Sequence, residues 1–336
     1  MVTLKDVAEK AEVSASTVSR IINSKGDKCA SSEVKKRVWD AIRETGYVPN
    51  LSAKHLKEGY QESNKSSVIY ILFARTRDSR GDSYFLELSS YVNEEILKNG
   101  FKAGRQFISK EVLGIHSGDI EIGKHDGLVV LGKTQESQSK FISLFNKRVV
   151  YITLNQMNLE EDHIMCDGKQ ATESALQYLY DHGHHNIAYI GEKEKEIRYI
   201  GYREFLIKMR LNSESDYTIE AAMNTEGGYN AAKRLLDYHP MPTAVFCAND
   251  ITAIGVLKGL KDNNINVPGD ISVISIDNIA EAAFSSPALT TVKIPMKEMG
   301  SFAVKTLVDR IHKGHKVYIK VFMPSGLIIR ESVRTI

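Results

Sequence analysis

From residue 68 onward the chain alternates short β-rich runs with amphipathic helical segments, and this alternation limits the possible folds more than any other feature. The runs are continuously apolar and rich in Val, Ile, Leu, Phe and Tyr. Strands with this composition are buried on both faces and belong to parallel sheets that helices cover. The clearest runs are Val68–Phe73, Gly127–Gly132, Arg148–Thr153, Ile187–Gly191, Thr243–Ala248 and Ile271–Ile276.

The number of runs indicates two α/β lobes. About eleven strands are too many for one compact layer, so two doubly wound subdomains are expected. The chain of 336 residues, 42% of them hydrophobic, is long and apolar enough to form several cores. The weakest pattern lies in Phe101–His125, where the positions of strands and helices are least defined.

The first 45 residues show a helical pattern instead. Ser14 is a good N-cap for a second helix over Ala15–Asn23, and a third helix is expected from about Glu33 to Thr45. Three such helices fit the helix-turn-helix plan, in which the second helix enters a DNA major groove. A generic three-helix bundle with a solvated polar face fits the same periodicity. The apolar positions of the first helix follow i, i+3, i+4 and i+7 spacing: Leu4, Val7, Ala8 and Ala11.

The segment VTLKDVAEKAEVSASTVSRIIN, followed by YVPNLSAKHLKEG, resembles the lactose-repressor/galactose-repressor family of bacterial transcription regulators. DGLVVLGK, HGHHNIAYIG, PTAVFCAND and NINVPGDISVISIDN extend the resemblance over nearly the whole chain. It implies an N-terminal all-α helix-turn-helix headpiece with a hinge helix, and an α/β core with the two-lobed type I fold of periplasmic sugar-binding proteins. The expected domains are 1–48 for DNA binding, 49–66 for hinge and linker, and 67–336 for effector binding and dimerisation. Lobe one is expected at about 66–158 plus 292–319, and lobe two at about 159–291 plus 320–336.

The resemblance also implies which residues contact DNA. Ala15, Ser16 and Arg20 take the positions that contact bases. A second set would contact phosphates or cap helices: Thr3, Ser14, Thr17, Ser19 and Asn23. In the hinge, Asn50 can cap a short helix, Ala53 matches the small residue facing the minor groove, and Leu56 matches the residue that wedges into it. The alternative for Leu56 is an ordinary linker residue.

Candidate effector contacts lie where strands end, because ligands of open α/β sheets bind beyond the carboxyl ends of their strands. Asn249 and Asp277 follow two β-rich runs, and Arg198 opens a helix after another. By resemblance these three match the family's contacts to sugar hydroxyls. Helix capping is the alternative for Asn249 and Asp277, although Asp250 is the better cap beside Asn249; a surface salt bridge is the alternative for Arg198. The resemblance places three further candidates in lobe one: Asn155, Met165 and Asp167. Tyr84 or Phe85 could supply a stacking wall, and the alternative for this aromatic near a helix start is a position in the core.

Several classes of function lack support in the sequence. It has no GxGxxG, no P-loop and no GxSxG motif, so neither an enzyme nor a cofactor is expected. The histidines near residue 183 have no Cys or Glu at metal-ligand spacing, so they are interpreted as turn residues rather than a metal site: His182, His184 and His185. Three dispersed cysteines and a charged N-terminus without a signal peptide predict a reducing cytoplasm and no membrane segment: Cys29, Cys166 and Cys247.

The sequence therefore predicts a transcriptional repressor of a sugar-utilisation operon. A homodimer would bind a pseudo-palindromic operator and leave it when a small sugar binds, with galactose or a galactoside favoured. One alternative is a catabolite-control-type regulator whose co-effector is a phosphorylated carrier protein; another is a sugar-binding protein without a DNA role. Only four residues follow Pro324–Ser332, too few for the C-terminal helix that makes lactose-repressor tetramers, so a dimer is expected.

Overall fold

The computed structural model describes residues 4–23, 30–45, 67–75, 82–115, 118–155, 160–211 and 217–336. The chain divides into two units, Met1–Ser63 and Asn64–Ile336. Four residues predicted to contact DNA lie outside the described residues: Thr3, Asn50, Ala53 and Leu56. In the described part of the chain, no helix is both long and apolar enough to cross a membrane.

The first unit contains the three predicted helices. They are α1 (Leu4–Lys10), α2 (Ala15–Asn23) and α3 (Ser32–Thr45). The turn between α1 and α2 includes Glu12, whose φ of 53° lies in the left-handed region, and the apolar pattern breaks at this residue. The helices enclose a small core of apolar side chains: Val7, Ala8, Ala11, Val18, Ile21, Val38 and Ala41.

The second unit contains two six-stranded sheets. The first has the order β11-β5-β4-β3-β1-β2, and all its strands are parallel. Its strands are β1 (Val68–Phe73), β2 (Lys102–Ile108), β3 (Gly127–Leu131), β4 (Val149–Thr153), β5 (Asp162–Cys166) and β11 (Lys320–Met323). The accompanying helices are α4 (Ser83–Lys98), α5 (Ser109–Val112), α6 (Ser139–Ser143) and α12 (Met296–Ile311), with a 3₁₀ turn at Glu136–Gln138.

The second sheet has the order β12-β10-β9-β8-β6-β7. Its strands are parallel except β12, which pairs antiparallel with β10. The strands are β6 (Ile187–Gly191), β7 (Thr218–Glu220), β8 (Ala244–Cys247), β9 (Ser272–Asp277), β10 (Thr290–Lys293) and β12 (Gly326–Ile328). The helices are α7 (Gly168–Asp181), α8 (Ile197–Met209), α9 (Thr225–Leu235), α10 (Asp250–Asp262) and α11 (Ala280–Phe284).

The strand order corrects the expected lobe boundaries. Strand β5 lies within 159–291 and β11 within 320–336, yet both belong to the first sheet, where Lys320 aligns with His163. Strand β10 extends to Lys293, past the expected start of the lobe-one segment at 292, and belongs to the second sheet. Apolar runs identify buried strands, but they do not specify the neighbour with which each strand pairs.

The poorly patterned stretch Phe101–His125 forms an edge of the first sheet. Strand β2 pairs only with β1 among the described strands, and several of its residues are exposed or half-buried. An edge strand is less completely covered than a central one, so its sequence lacks the continuous apolar run of β3 or β4.

Helices α9 and α10 pack with their backbones in close approach. A Cβ added at Gly228 would overlap the carbonyl oxygen of Thr252, and one at Gly255 would overlap the carbonyl oxygen of Thr225. Only glycine fits at these two positions, and the contact fixes α10 against the second lobe directly after β8.

Candidate functional site

Helix α2 is capped as the sequence predicts. The Ser14 Oγ accepts a hydrogen bond from the Thr17 backbone N–H at 3.2 Å. It also lies 2.8 Å from the hydroxyls of Ser16 and Thr17. The cap satisfies a backbone donor that would otherwise be unpaired at the start of the helix.

Helix α2 buries one face and exposes another. Val18 and Ile21 are buried in the core, whereas Ser16 and Arg20 are exposed. Small polar residues beside an exposed arginine leave room for the backbone to approach base edges. Ala15 and Thr17 are half-buried, and the predicted contacts Ser19 and Asn23 lie on the same helix.

In the second unit, the predicted effector residues of the second lobe lie close together at the carboxyl ends of strands. Asn249 follows β8 and Asp277 ends β9. Arg198 lies in the first turn of α8, after β6, and its Nη1 donates to the carbonyl oxygen of Ala248 at 2.9 Å. The structure thus brings together three residues that are separated by up to 79 positions in the chain.

Arg198 forms a buried ion pair, so the surface salt bridge considered as its alternative is wrong. Its Nε donates to Glu196 Oε1 at 2.6 Å, and the two side chains are 6% and 9% exposed. Although burial raises the pKa of Glu196, the adjacent Arg198 guanidinium lowers it to about 2. Glu196 also accepts the Arg198 backbone N–H at 3.2 Å as the N-cap of α8.

Glu196 was not among the site residues predicted from the sequence. The available signal was a glutamate two residues before an arginine at the start of a helix. Such a glutamate can cap the helix and bind the arginine guanidinium at the same time.

Asn249 is the N-cap of α10, as its alternative interpretation proposed. Its side-chain oxygen accepts the Thr252 backbone N–H at 3.2 Å. The expectation that Asp250 is the better cap is wrong, because Asp250 is the first residue of the helix and its carboxylate contacts strands β9 and β10. Asn249 is buried in this cap, and its contact with an effector stays a prediction.

Asp277 does not cap a helix. The N-cap of α11 is Ile279, which makes no side-chain capping bond. Among the residues that the structure describes, no group donates a hydrogen bond to the buried Oδ1 of Asp277. Burial raises the pKa of Asp277 well above its usual value; Arg198 opposes that rise, and the carboxyl groups of Asp250 and Asp82 add to it. Asp277 therefore offers an unused acceptor beside Arg198.

From the first lobe, Tyr84 lies close enough to this charged group to interact with Asp277. Burial raises the pKa of Tyr84, and the nearby Asp277 and Cys166 raise it further. Phe85 packs edge-on against Phe73, with ring centroids 6.4 Å apart, in the core of the first sheet. The two lobes therefore meet around Tyr84 and Asp277, and the stacking role of Phe85 stays a prediction.

The other predicted lobe-one residues also lie at strand ends. Met165 is buried in β5 and aligns with Thr153 of β4. Asn155 is half-buried, and its backbone N–H donates to Thr153 Oγ1 at 2.9 Å. Asp167 caps α7 by accepting the backbone N–H groups of residues 169 and 170 at 2.9 and 3.2 Å. The cap occupies Asp167 Oδ1, so its contact with an effector also stays a prediction.

Polar contacts also bridge the lobes. They join residues of the first lobe to residues that follow strands of the second sheet. The bridging pairs are Arg75 with Glu192 at 3.3 Å, Ser83 with Glu281 at 2.6 Å, and Lys133 with the carbonyl oxygen of Lys195 at 3.3 Å.

The histidines near residue 183 have structural partners. His184 contacts Thr243 Oγ1 at 3.1 Å and the carbonyl oxygen of Arg334 at 2.9 Å, and His182 contacts the carbonyl oxygen of Tyr178 at 2.7 Å. Across the described ranges, no group of three or more His, Cys, Asp or Glu side chains is placed to hold a metal ion.

Comparison with known families matches both units. Residues 3–50 match the family of bacterial regulatory proteins named after lacI, and residues 176–333 match the periplasmic binding protein-like domain. Together, the headpiece helices and the two-sheet core define the class of protein: a DNA-binding regulator with an attached ligand-binding domain.

Relatives that match over nearly their full length are transcriptional repressors. The chain is 31% identical to the HTH-type transcriptional repressor MelR of Bacillus subtilis, with 99% of this chain and 97% of that protein covered. It is also 31% identical to the HTH-type transcriptional repressor PurR of Pasteurella multocida, with 100% and 99% covered. The chain belongs to the lacI family of transcriptional repressors and is not an enzyme.

Solved structures share the fold. A complex of the transcriptional regulator CelR with cellobiose has a TM-score of 0.68 at 24% identity, covering 99% of this chain and 100% of that one. The lac repressor dimer bound to operator and the anti-inducer ONPF has a TM-score of 0.65 at 20% identity, covering 99% of each chain. A regulator from Enterococcus faecium with bound ribose has a TM-score of 0.69 at 20% identity, covering 80% of this chain and 99% of that one.

Proposed function

We propose that this repressor controls a sugar-utilisation operon and leaves its operator when a small sugar binds between the lobes. The observation that carries this proposal is the buried Oδ1 of Asp277 beside Arg198, which has no hydrogen-bond partner within the described part of the chain. A buried acceptor without a donor is costly, and a sugar hydroxyl would supply that donor. The structures similar to this chain that contain cellobiose or ribose support a carbohydrate as the ligand class.

Galactose or a galactoside is the sugar we favour, on the resemblance of the sequence to repressors of galactoside and galactose operons. Regulation takes place in the cytoplasm, where the operator is. The proposed DNA contacts are those of α2, together with the hinge residues Asn50, Ala53 and Leu56.

The repressor acts as a homodimer on a pseudo-palindromic operator. A twofold dimer matches the symmetry of two half-sites, so each α2 can occupy one major groove. Light scattering on the full chain should give about twice the 37.6 kDa of one chain. A monomer at micromolar concentration with operator present would contradict this assembly.

The effector is tested in two steps. Thermal shift is first measured with galactose, methyl β-galactoside, lactose, cellobiose, ribose and glucose. Each sugar that stabilises the protein is then titrated against the complex with an operator selected from random duplexes, and release is followed by fluorescence anisotropy. We expect a galactoside to stabilise the core and to release the operator. Stabilisation without release would leave a sugar-binding protein but remove the proposed regulation.

Asp277→Asn gives the matched test of the site. It keeps the size of the side chain and removes the carboxylate, so operator affinity should stay unchanged while sugar affinity falls about tenfold or more. The control is Asp237→Asn, an exposed aspartate of the same lobe, which should titrate like the wild type. An Asp277→Asn variant that releases the operator at the wild-type sugar concentration would refute the assignment of Asp277 as an effector contact.

A further inference from the structure

Asp250 is a buried carboxylate that the proposed effector chemistry does not use directly. It is fully buried at the start of α10. Its Oδ1 accepts the hydroxyl groups of Ser275 at 2.5 Å and Thr291 at 2.6 Å, and its Oδ2 accepts the Ile279 backbone N–H at 2.9 Å. Because Ser275 and Thr291 are aligned in β9 and β10, one side chain ties both strands to the turn that follows β9.

That turn has an unfavourable backbone. Asp277 has a φ of 130° and Asn278 a φ of 57°, both in the region where residues other than glycine are rare. Such conformations persist only where the surrounding structure holds them, and they concentrate at functional sites. The strained residue Asp277 is also the one whose Oδ1 receives no hydrogen bond from the residues that the structure describes.

Asp250 supplies the contacts that hold the turn. It binds the backbone directly at Ile279. It also orients Thr291, whose hydroxyl oxygen accepts the Asn278 backbone N–H at 3.3 Å. On the far side, Arg330 Nη2 donates to Asn278 Oδ1 at 2.7 Å.

The chemistry of the contacts requires a carboxylate. Donors approach both oxygens of Asp250, and an asparagine has only one oxygen that can accept. The carboxylate stands close enough to that of Asp277 to raise the pKa of Asp277, in addition to the rise caused by burial. A like-charged pair is unfavourable in itself, so packing does not account for an acid at this position.

We propose that Asp250 is a positioning residue. It holds the turn after β9 in its strained conformation and thereby orients the Asp277 carboxylate toward the effector. The effect of Asp250 on the conformation of this turn is a property of the fold and can be tested without a ligand. Its consequence for sugar binding rests on the function proposed above.

The first test needs no sugar. Crystal structures of the full chain are compared for the wild type and Asp250→Asn. We expect φ of Asp277 to move from its positive value to the extended region, with the carboxylate displaced from Arg198. An unchanged turn in Asp250→Asn would overturn the proposal whatever the effector is.

The second test is a double-mutant cycle on sugar affinity, measured by calorimetry with galactose, cellobiose and ribose. If Asp250 acts through Asp277, Asp250→Asn should weaken binding about tenfold, and it should add less than about twofold when Asp277→Asn is already present. A merely structural role would make the two losses multiply. If the wild type binds none of these sugars, the sugar proposal fails and the crystal structures still decide the role of Asp250.

Asp162→Asn is the control for the loss of a buried carboxylate. Asp162 is fully buried in the first lobe and accepts Arg310 in two hydrogen bonds of 2.8 and 2.7 Å. This variant should lower the melting temperature yet leave sugar affinity within about twofold of the wild type. If Asp250→Asn does not fold, Thr291→Val replaces it in both tests, because it removes one donor and the link to Asn278 while the carboxylate stays. A turn and an affinity that Thr291→Val leaves unchanged would refute the proposal.

Discussion

Glu196→Gln should destabilise the core by about 3 kcal/mol, because it removes the negative partner of a buried guanidinium. Breaking a buried ion pair by removing one partner costs about 3–5 kcal/mol. The pKa of Glu196, lowered from 4.5 to about 2, gives a similar figure, since each unit corresponds to about 1.36 kcal/mol. Glutamine keeps an oxygen that can accept the Arg198 backbone N–H, so the cap of α8 is retained and the change isolates the charge.

The assay is urea unfolding of the full chain at neutral pH, with the transition of the core followed by circular dichroism. Glu173→Gln is the matched control, because Lys208 and Glu173 also lie 2.6 Å apart but are 63% and 50% exposed. An exposed pair contributes about 0–1 kcal/mol. Equal losses in the two variants would refute the argument that burial sets the strength of the Glu196–Arg198 pair.

A double variant separates the ion pair from simple packing. Glu196→Leu combined with Arg198→Met removes both charges and keeps apolar volume. It should be more stable than Glu196→Gln, because no uncompensated charge remains buried. If the double variant is the less stable one, the packing and hydrogen bonds of Arg198 outweigh its charge.

Three further outcomes follow from the structure. Because the pKa of Glu196 is lowered on folding, its stabilisation is complete above about pH 4.5 and should disappear between pH 4.5 and pH 2; Glu196→Gln should lack this part of the pH dependence in acid unfolding. Arg20→Ala, at an exposed position of α2, should weaken operator binding by about 1–3 kcal/mol in anisotropy titrations. Gly228→Ala should destabilise the core by about 1–3 kcal/mol or more in urea, because its Cβ has no room between α9 and α10; Gly114→Ala, with open space around it, should stay within about 0.5 kcal/mol of the wild type.

The sequence predicted the elements better than it predicted their neighbours. The run beginning at Gly127 forms β3, and the capped segment beginning at Ala15 forms α2, because hydrophobic periodicity and capping are local. The strand β11 was placed in the wrong lobe, since its partner β5 lies more than 150 residues earlier. The spacing of apolar residues along one sequence does not indicate which distant strands pair with each other.

The same limit applies to the candidate site. Asn249 and Asp277 could be predicted as candidates because a polar residue after a buried strand falls at the ligand edge of the sheet. Local sequence could not reveal that Asn249 caps α10 while Asp250 reaches two strands. That distinction depends on Ser275 and Thr291, whose hydroxyls meet only after β9 and β10 align.

The arrangement of charges between the lobes explains how binding there could be transmitted. Arg198 is already neutralised within its own lobe by Glu196, whereas one oxygen of Asp277 has no donor among the described residues. A ligand between Asp277 and Tyr84 would therefore contact both lobes at once, and its affinity would depend on their separation. Contacts such as Ser83 with Glu281 already join the lobes without a ligand. A ligand can shift the lobes only by the difference between its affinities for their two arrangements, so the energy for release must come from contacts like those at Asp277, which the protein alone leaves unmade.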